Sequence, residues 1–113
     1  YSCELDLTAG PHLPLLLWTP MVVASQTWKL SLPDCSSLKQ KRSVVRSIRD
    51  RLSSRFNVSV AETGFQDVHS FAELTLALVA SDGRIAESLL DKTDRLVESY
   101  SGALIVQVRR EIH

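Results

Sequence analysis

The chain has 113 residues, of which 44% are hydrophobic and 23% are charged, and its formal net charge is zero. This length holds one hydrophobic core but not two. No segment reaches the roughly 18 consecutive apolar residues that a membrane-spanning helix needs. The two cysteines, Cys3 and Cys35, are too few for a disulfide scaffold and lack the paired spacing of a zinc or redox site. We therefore expect one soluble, cytoplasmic domain with reduced cysteines.

The first twenty residues differ from the rest of the chain. They contain three of its four prolines and show neither helical nor strand periodicity. A secretory signal is not expected here, because Glu4 and Asp6 stand where such a signal is positively charged. We expect residues 1–20 to be a disordered or non-native N-terminal extension, with Met21 as the natural start of a single domain at residues 21–113.

The first predicted elements are a strand and a long helix. Residues 22–32 alternate between apolar and polar side chains, which is typical of a half-buried strand. Ser37, followed three residues later by Gln40, has the form of a capping box at a helix start. A helix is predicted over residues 38–55, because its apolar residues recur at helical spacing along one face.

In the second half of the domain, residues again alternate at strand spacing before apolar residues recur at helical spacing. The alternation at residues 58–61 predicts a short second strand that is closed by Gly64, and a third strand is predicted at residues 71–80. A second helix is predicted over residues 84–100, with Gly102 just beyond it as a C-cap signal. A fourth strand at residues 104–112 completes the pattern.

This order of elements, βαββαβ, has few packed solutions, because right-handed crossovers place both helices on one side of the sheet. We predict an α+β fold, the ferredoxin-like sandwich, with a four-stranded antiparallel sheet and two helices on one face. The other face is left without helices and would be either solvated or a homodimer interface. The residues expected on that face are Val23, Ser25, Thr27, Lys29, Glu73, Thr75 and Val79.

The first predicted helix carries an excess of positive charge. Residues 39–55 contain seven basic side chains and a single acid, Asp50. At 100° per residue, four of the basic residues form a stripe along one flank of the helix. Such a stripe suits contact with a phosphate backbone, but it is also typical of a solvated face whose side chains pair with neighbouring acids. The stripe consists of Lys39, Arg42, Arg46 and Arg49.

Lys41 differs from these residues, because the same helical geometry turns it toward the apolar face. We interpret it as a lysine whose stem covers apolar surface while its ammonium group reaches past the sheet edge. A buried partner or a ligand role is the alternative interpretation. The predicted nucleic-acid-binding residues are Lys39, Lys41, Arg42, Arg46 and Arg49.

The sequence lacks the residue sets of an enzyme or a metal carrier on this fold. An acylphosphatase needs a phosphate-cradling arginine after the first strand, where residues 33–37 contain none. A metal carrier needs a second cysteine in this loop, and Cys35 is alone there. Asp67, His69 and Ser70 lie too close together on one hairpin to converge as a catalytic triad. We therefore predict no enzymatic activity, no metal and no cofactor.

Recognition of RNA through the open sheet face is not expected. An RNA-recognition motif stacks bases on aromatic rings of its central strands, and only Phe71 is a candidate for that role here. Any contact with RNA would therefore go through the first helix.

Several short motifs resemble one bacterial family. They are Leu32-Pro33, Ser37-Leu38-Lys39-Gln40-Lys41-Arg42, Phe56-Asn57-Val58-Ser59-Val60-Ala61-Glu62 and Gln66-Asp67. In order and spacing the chain resembles the YlxP-like family, known as domain of unknown function 503, over residues 21–113. It departs from the family pattern in the segment from Val68 to Phe71, which replaces an apolar residue, tryptophan, glutamine and arginine.

The resemblance implies a ferredoxin-like fold, no established enzyme activity, and genes that lie among translation and ribosome-maturation genes. The positions that match the family's basic motif are Lys39, Lys41 and Arg42. Our leading hypothesis is a non-enzymatic RNA- or ribosome-associated module, with ribosomal RNA or the small ribosomal subunit as its partner. The alternative is a homodimeric protein-interaction scaffold that uses the open sheet face or the edge strands.

Overall fold

All six predicted elements are present in the computed structural model, which describes residues 21–113. The extension predicted at residues 1–20 lies outside the described residues. In chain order the elements are β1 (Val22–Ser31), α1 (Leu38–Arg55), β2 (Ser59–Gly64), β3 (Phe71–Ala80), α2 (Gly83–Glu98) and β4 (Leu104–Ile112).

The bounds of α1, β3 and β4 are as predicted, and the other elements differ at their ends. Strand β2 begins at Ser59 and ends at Gly64, the residue predicted to close it, and its last residues remain paired with β3 across an irregularity between Glu62 and Gly64. Helix α2 ends at Glu98 because the next residue, Ser99, is its C-cap and donates its N–H to the Arg95 carbonyl at 3.0 Å. Gly102, with φ of 96°, lies in the turn that follows, so its prediction as the cap was wrong.

The four strands form one antiparallel sheet in the order β2-β3-β1-β4. Strand β1 is central, so that Trp28 has Leu74 of β3 on one side and Val108 of β4 on the other. This strand order, with both helices packed on the same face, confirms the predicted ferredoxin-like βαββαβ fold. Strands β2 and β4 are left as the two edges of the sheet.

The N-terminus of α1 is closed by the predicted capping residues. The Ser37 hydroxyl accepts the N–H of Gln40 at 3.2 Å, which satisfies one of the free amide groups of the first turn. The Gln40 side chain reaches back to Ser36, whose N–H and hydroxyl both donate to Oε1, at 2.6 and 2.9 Å. These contacts set the point at which the basic helix begins.

The core lies between the sheet and the two helices, and alternate residues of β1 and β3 enter it, as their burial patterns show. Each helix contributes one apolar face to this layer. The residues that are completely buried there include Trp28, Leu30, Leu32, Ile48, Leu52, Leu74, Leu76, Leu90 and Val97.

A polar network crosses this layer and joins α2 to the sheet. Asp94 of α2 accepts the indole N–H of Trp28 at 2.7 Å and a hydrogen bond from the side-chain amide of Gln26. Arg110 of β4 donates to Gln26 Oε1 at 2.7 Å and pairs with Asp94 at 3.0 Å. Because Gln26 and Trp28 are completely buried, Asp94 is what satisfies their donors.

We expect Asp94→Ala to lower the free energy of unfolding by roughly 2–4 kcal/mol, because it leaves buried donors of Gln26 and Trp28 without an acceptor. Urea unfolding followed by far-UV circular dichroism measures this loss. The matched control is Asp91→Ala, which removes only an exposed ion pair with Arg110 and should change stability by less than about 1 kcal/mol. Equal losses in the two variants would contradict this account.

Candidate functional site

The four residues of the predicted stripe are exposed on one flank of α1. We call this set the basic stripe; its members are Lys39, Arg42, Arg46 and Arg49. None of them forms an ion pair with an acidic residue of the described domain. The first and last members are ten residues apart, which corresponds to about 15 Å along the helix axis. The basic stripe is therefore a continuous line of solvated positive charge.

A shallow depression lies within the basic stripe. It has a volume of about 310 Å³ and is lined by Lys39, Arg42, Arg46 and the small side chain of Ser43. The three positively charged side chains can only donate hydrogen bonds, and the Ser43 hydroxyl can both donate and accept them. This donor set suits the oxygens of phosphate groups.

Lys41 lies away from the basic stripe, and its burial corrects the interpretation of this residue as a solvent-reaching lysine and nucleic-acid contact. Its side chain is 1% exposed, and its Nζ lies 2.9 Å from Glu62 Oε2. The same ammonium group donates to the main-chain carbonyl of Phe65. The buried partner that the sequence left open as an alternative is therefore Glu62.

The position of Glu62 explains why Lys41 is drawn inward. Glu62 lies opposite Leu74 in the register of β2 and β3, and this places its side chain on the face that α1 covers. Its Oε2 atom is buried, and within residues 21–113 no hydrogen-bond donor reaches it apart from the ammonium group of Lys41. Each charge of the pair is therefore compensated mainly by the other.

The carbonyl of Phe65 is presented to Lys41 by an unusual turn. Phe65 has φ of 57°, in the left-handed region that a residue with a side chain rarely adopts. Its carbonyl also accepts the N–H of Val68 at 3.0 Å. The contact with Lys41 thus ties α1 to the hairpin between β2 and β3 at a point where the backbone is strained.

The opposite flank of α1 faces the second helix. Arg51 lies over the ring of Tyr100, with its guanidinium carbon 4.8 Å from the ring centroid. Arg55 lines a separate depression of about 290 Å³ together with Lys92 and Arg95 of α2. Arg55 and Arg95 lie in the last turns of α1 and α2, where positive charge is stabilised by the helix dipole.

The open sheet face is a mixed surface. Its residues from β1 and β3 are the ones predicted, and Thr27 and Thr75 are hydrogen-bonded across the strands at 3.1 Å. A small pocket of about 90 Å³ lies in the middle of this face. Its lining residues are Thr27, Lys29, Glu73, Gln107 and Arg109.

Two aromatic rings lie at one end of this face, although only one was considered from the sequence. Phe65 reaches Phe71 from the hairpin turn, with ring centroids 6.0 Å apart. The ammonium of Lys29 lies 5.0 Å from one centroid and 5.1 Å from the other. The positive φ of Phe65 brings its ring there, and no sequence signal predicts that conformation for phenylalanine.

The hairpin that departs from the family pattern is tied to the rest of the domain. His69 donates from Nδ1 to the carbonyl of Cys35 at 3.0 Å, and Leu32 donates its N–H to the Ser70 carbonyl at 2.8 Å. His69 thus links the hairpin to the loop after β1. Cys35 itself is buried among the core residues.

Neither described helix is long and apolar enough to cross a membrane.

Comparison with known proteins confirms the resemblance that the motifs indicate. The model of a family described as "Protein of unknown function (DUF503)" matches residues 23–110. Over 67 residues the chain is 34% identical to the uncharacterized protein YlxP of Bacillus subtilis (strain 168), a stretch that covers 59% of this chain and 73% of that protein.

Similar solved structures include two designed proteins. Foldit4 is 15% identical with a TM-score of 0.48, over 80% of this chain and 96% of its own. LFR1, described as having a ferredoxin fold, is 16% identical with a TM-score of 0.42, over 81% of this chain and 84% of its own.

The buried pair makes a prediction about stability. Lys41→Met removes the positive charge and leaves the Glu62 carboxylate uncompensated, so we expect the free energy of unfolding to fall by roughly 2–4 kcal/mol. The double variant Lys41→Met/Glu62→Leu should recover most of this loss, because an apolar pair of similar volume can replace a buried ion pair. Chemical unfolding of the three chains measures both effects.

Lys39→Met is the matched control, since Lys39 is exposed and has no acidic partner within residues 21–113. It should change stability by less than about 0.5 kcal/mol. A double variant as unstable as the single Lys41→Met would refute the role given to Glu62.

Proposed function

We propose an RNA-binding role for this protein, which belongs to the DUF503 family of proteins of unknown function. In this proposal the domain is a non-enzymatic module that binds ribosomal RNA or the small ribosomal subunit. The phosphate contacts come from the basic stripe of α1. The observation that carries the proposal is that its four cations are exposed and unpaired with any acid of the described domain.

The lack of acidic partners among residues 21–113 argues against a purely structural role for the basic stripe. Cations that only stabilise a surface are expected to pair with nearby acids. Asp50 is in the same helix, yet neither Arg46 nor Arg49 forms an ion pair with it. No acid of the described domain therefore competes with an external anion for the charge of the basic stripe.

The position of Lys39 in the helix also supports the binding of an anion. The first turn of α1 contains no acidic residue, and Lys39 lies there against the positive end of the helix dipole. A cation at this end is unfavourable by about 0.3–1 kcal/mol. Stability alone does not account for it, whereas the binding of an anion would benefit from both the side chain and the dipole.

The neutral total charge conceals a polarised molecule. In α2 the acids Glu87, Asp91, Asp94 and Glu98 outnumber the bases. Since α1 and α2 lie side by side over the sheet, the positive potential is concentrated on the outer flank of α1. A polyanion would therefore be steered to the basic stripe.

We propose ribosomal RNA rather than another nucleic acid because of the family resemblance, which implies genes that lie among translation and ribosome-maturation genes.

The open sheet face supports the alternative, a homodimeric scaffold, less well. Its exposed apolar residues lie apart, with Val23 opposite Val79 at one end and Phe65 at the other, and the middle between them is polar. We therefore assign the function to α1.

The proposal predicts binding that depends steeply on salt. If the four members of the basic stripe each contact a phosphate of single-stranded RNA, log K should fall with log salt concentration with a slope of roughly −3. Changing Lys39, Arg42 and Arg46 to glutamate should abolish binding at moderate salt. Fluorescence anisotropy with small-subunit ribosomal RNA fragments, over a range of salt concentrations, measures both quantities.

The matched control reverses three exposed bases of the other helix, Arg84, Lys92 and Arg95. It changes the total charge by the same amount and should leave most of the affinity and the salt slope intact. Binding that is unchanged in the α1 variant, or lost equally in both, would refute the assignment to the basic stripe. Circular dichroism confirms that each variant is folded.

A further inference from the structure

Within residues 21–113, strand β4 is an edge of the sheet with much exposed apolar surface, because it pairs there with β1 on one side only. The exposed fraction is 62% for Leu104, 58% for Val106, 45% for Val108 and 36% for Ile112. A long edge strand with apolar side chains and free main-chain groups is a template for pairing with another strand. This edge is therefore suited to a partner strand.

The hydrogen bonds of β1 with the end of the chain show which main-chain groups face the free edge. Val23 and His113 exchange two N–H···O bonds, at 3.2 and 2.9 Å. Such pairs recur at every second residue of an antiparallel ladder. The main-chain N–H and C=O groups of the odd-numbered residues in 107–113 therefore point toward β1. The outward-facing N–H and C=O groups belong to Val108, Arg110 and Ile112.

We propose that two copies of this chain form a homodimer by pairing their β4 strands in antiparallel fashion, about a two-fold axis at Arg110. In this register Val108 lies opposite the partner's Ile112, and the outward main-chain groups of the two strands meet as hydrogen-bonded pairs. Arg109 lies opposite the partner's Glu111 on the open sheet face, where their neighbours in β1 are uncharged. The axis repeats each contact, which gives two apolar pairs and two ion pairs within residues 107–113, and it leaves the more exposed Leu104 and Val106 outside the paired segment.

Other registers are less favourable. An axis at Arg109 places the two copies of this arginine directly opposite each other, and an axis at Glu111 does the same for two glutamates. An axis nearer Leu104 meets the irregularity where the register between β1 and β4 shifts. Charge complementarity therefore selects the axis at Arg110 and a second copy as the occupant.

Arg110 tolerates a position on the axis because its charge is balanced within each chain. Its guanidinium lies 3.0 Å from Asp91 and 3.0 Å from Asp94, on the face that the helices cover. Two copies of Arg110 would therefore meet as neutralised groups.

The dimer does not depend on the RNA-binding proposal. The basic stripe lies on α1, which packs over β2 at the other edge of the sheet. Pairing of β4 leaves the stripe exposed in both copies, so each proposal can fail without the other.

The oligomeric state of the full 113-residue chain tests the dimer. Sedimentation equilibrium from micromolar to millimolar concentration should give twice the mass of one chain. Arg109→Glu turns both ion pairs into repulsive pairs and should raise the dimer dissociation constant roughly tenfold or more. The double variant Arg109→Glu/Glu111→Arg exchanges the charges and should restore the wild-type value.

Mixing two single variants gives the most direct test of the register. Arg109→Glu alone and Glu111→Arg alone each oppose like charges in a homodimer, but the two variants are complementary to each other. Their equimolar mixture should therefore form a heterodimer while each variant alone is weakened. Arg55→Glu, which makes the same charge change at an exposed site on α1 outside the basic stripe, should dimerise like the wild type.

A wild-type chain that stays monomeric at every concentration, as expected if β4 instead pairs with a strand of a different protein, would overturn the proposal. A dimer that persists unchanged in Arg109→Glu, or a mixture that fails to form heterodimers, would overturn this register.

Discussion

The rotation of α1 about its own axis decides which of its cations reach solvent. Val45, Ile48 and Leu52 bury the apolar face against the sheet, but apolar contacts alone tolerate small rotations. The buried ammonium of Lys41 is more demanding, because it must meet both Glu62 and the carbonyl of Phe65. A rotation that moved Lys41 away would leave a buried carboxylate uncompensated. The outward position of the basic stripe is thus a consequence of a lysine that is not part of it.

Most of the fold could be predicted because two periodicities are clear along the chain. The alternation around Trp28 in β1 and around Leu74 in β3 identified both the strands and the faces that they bury. The predictions were less accurate where an end depends on a distant segment. Strand β2 begins at Ser59 rather than at Val58, because its pairing with β3 starts with Ser59 opposite Ala77, and the alternation of residues 58–61 carries no information about that partner.

The candidate site could be predicted only in part, for a similar reason. Helical geometry placed the basic stripe on one flank and singled out Lys41, but the partners of these residues lie on other elements. The role of Asp94 could not be predicted for the same reason, because in the sequence it is one of several acids in α2. Its contacts with Gln26 and Trp28 join residues 68 and 66 positions apart, and periodicity carries no information about such pairs.

The network around Asp94 has a consequence for how sequences of this fold can diverge. One carboxylate serves Gln26, Trp28 and Arg110, which come from two strands on the same face. Replacement of any one of these groups leaves a polar neighbour unsatisfied in the core, so single changes are selected against. These four positions are therefore expected to covary among relatives, as one inherited unit that is either kept together or exchanged for an apolar set.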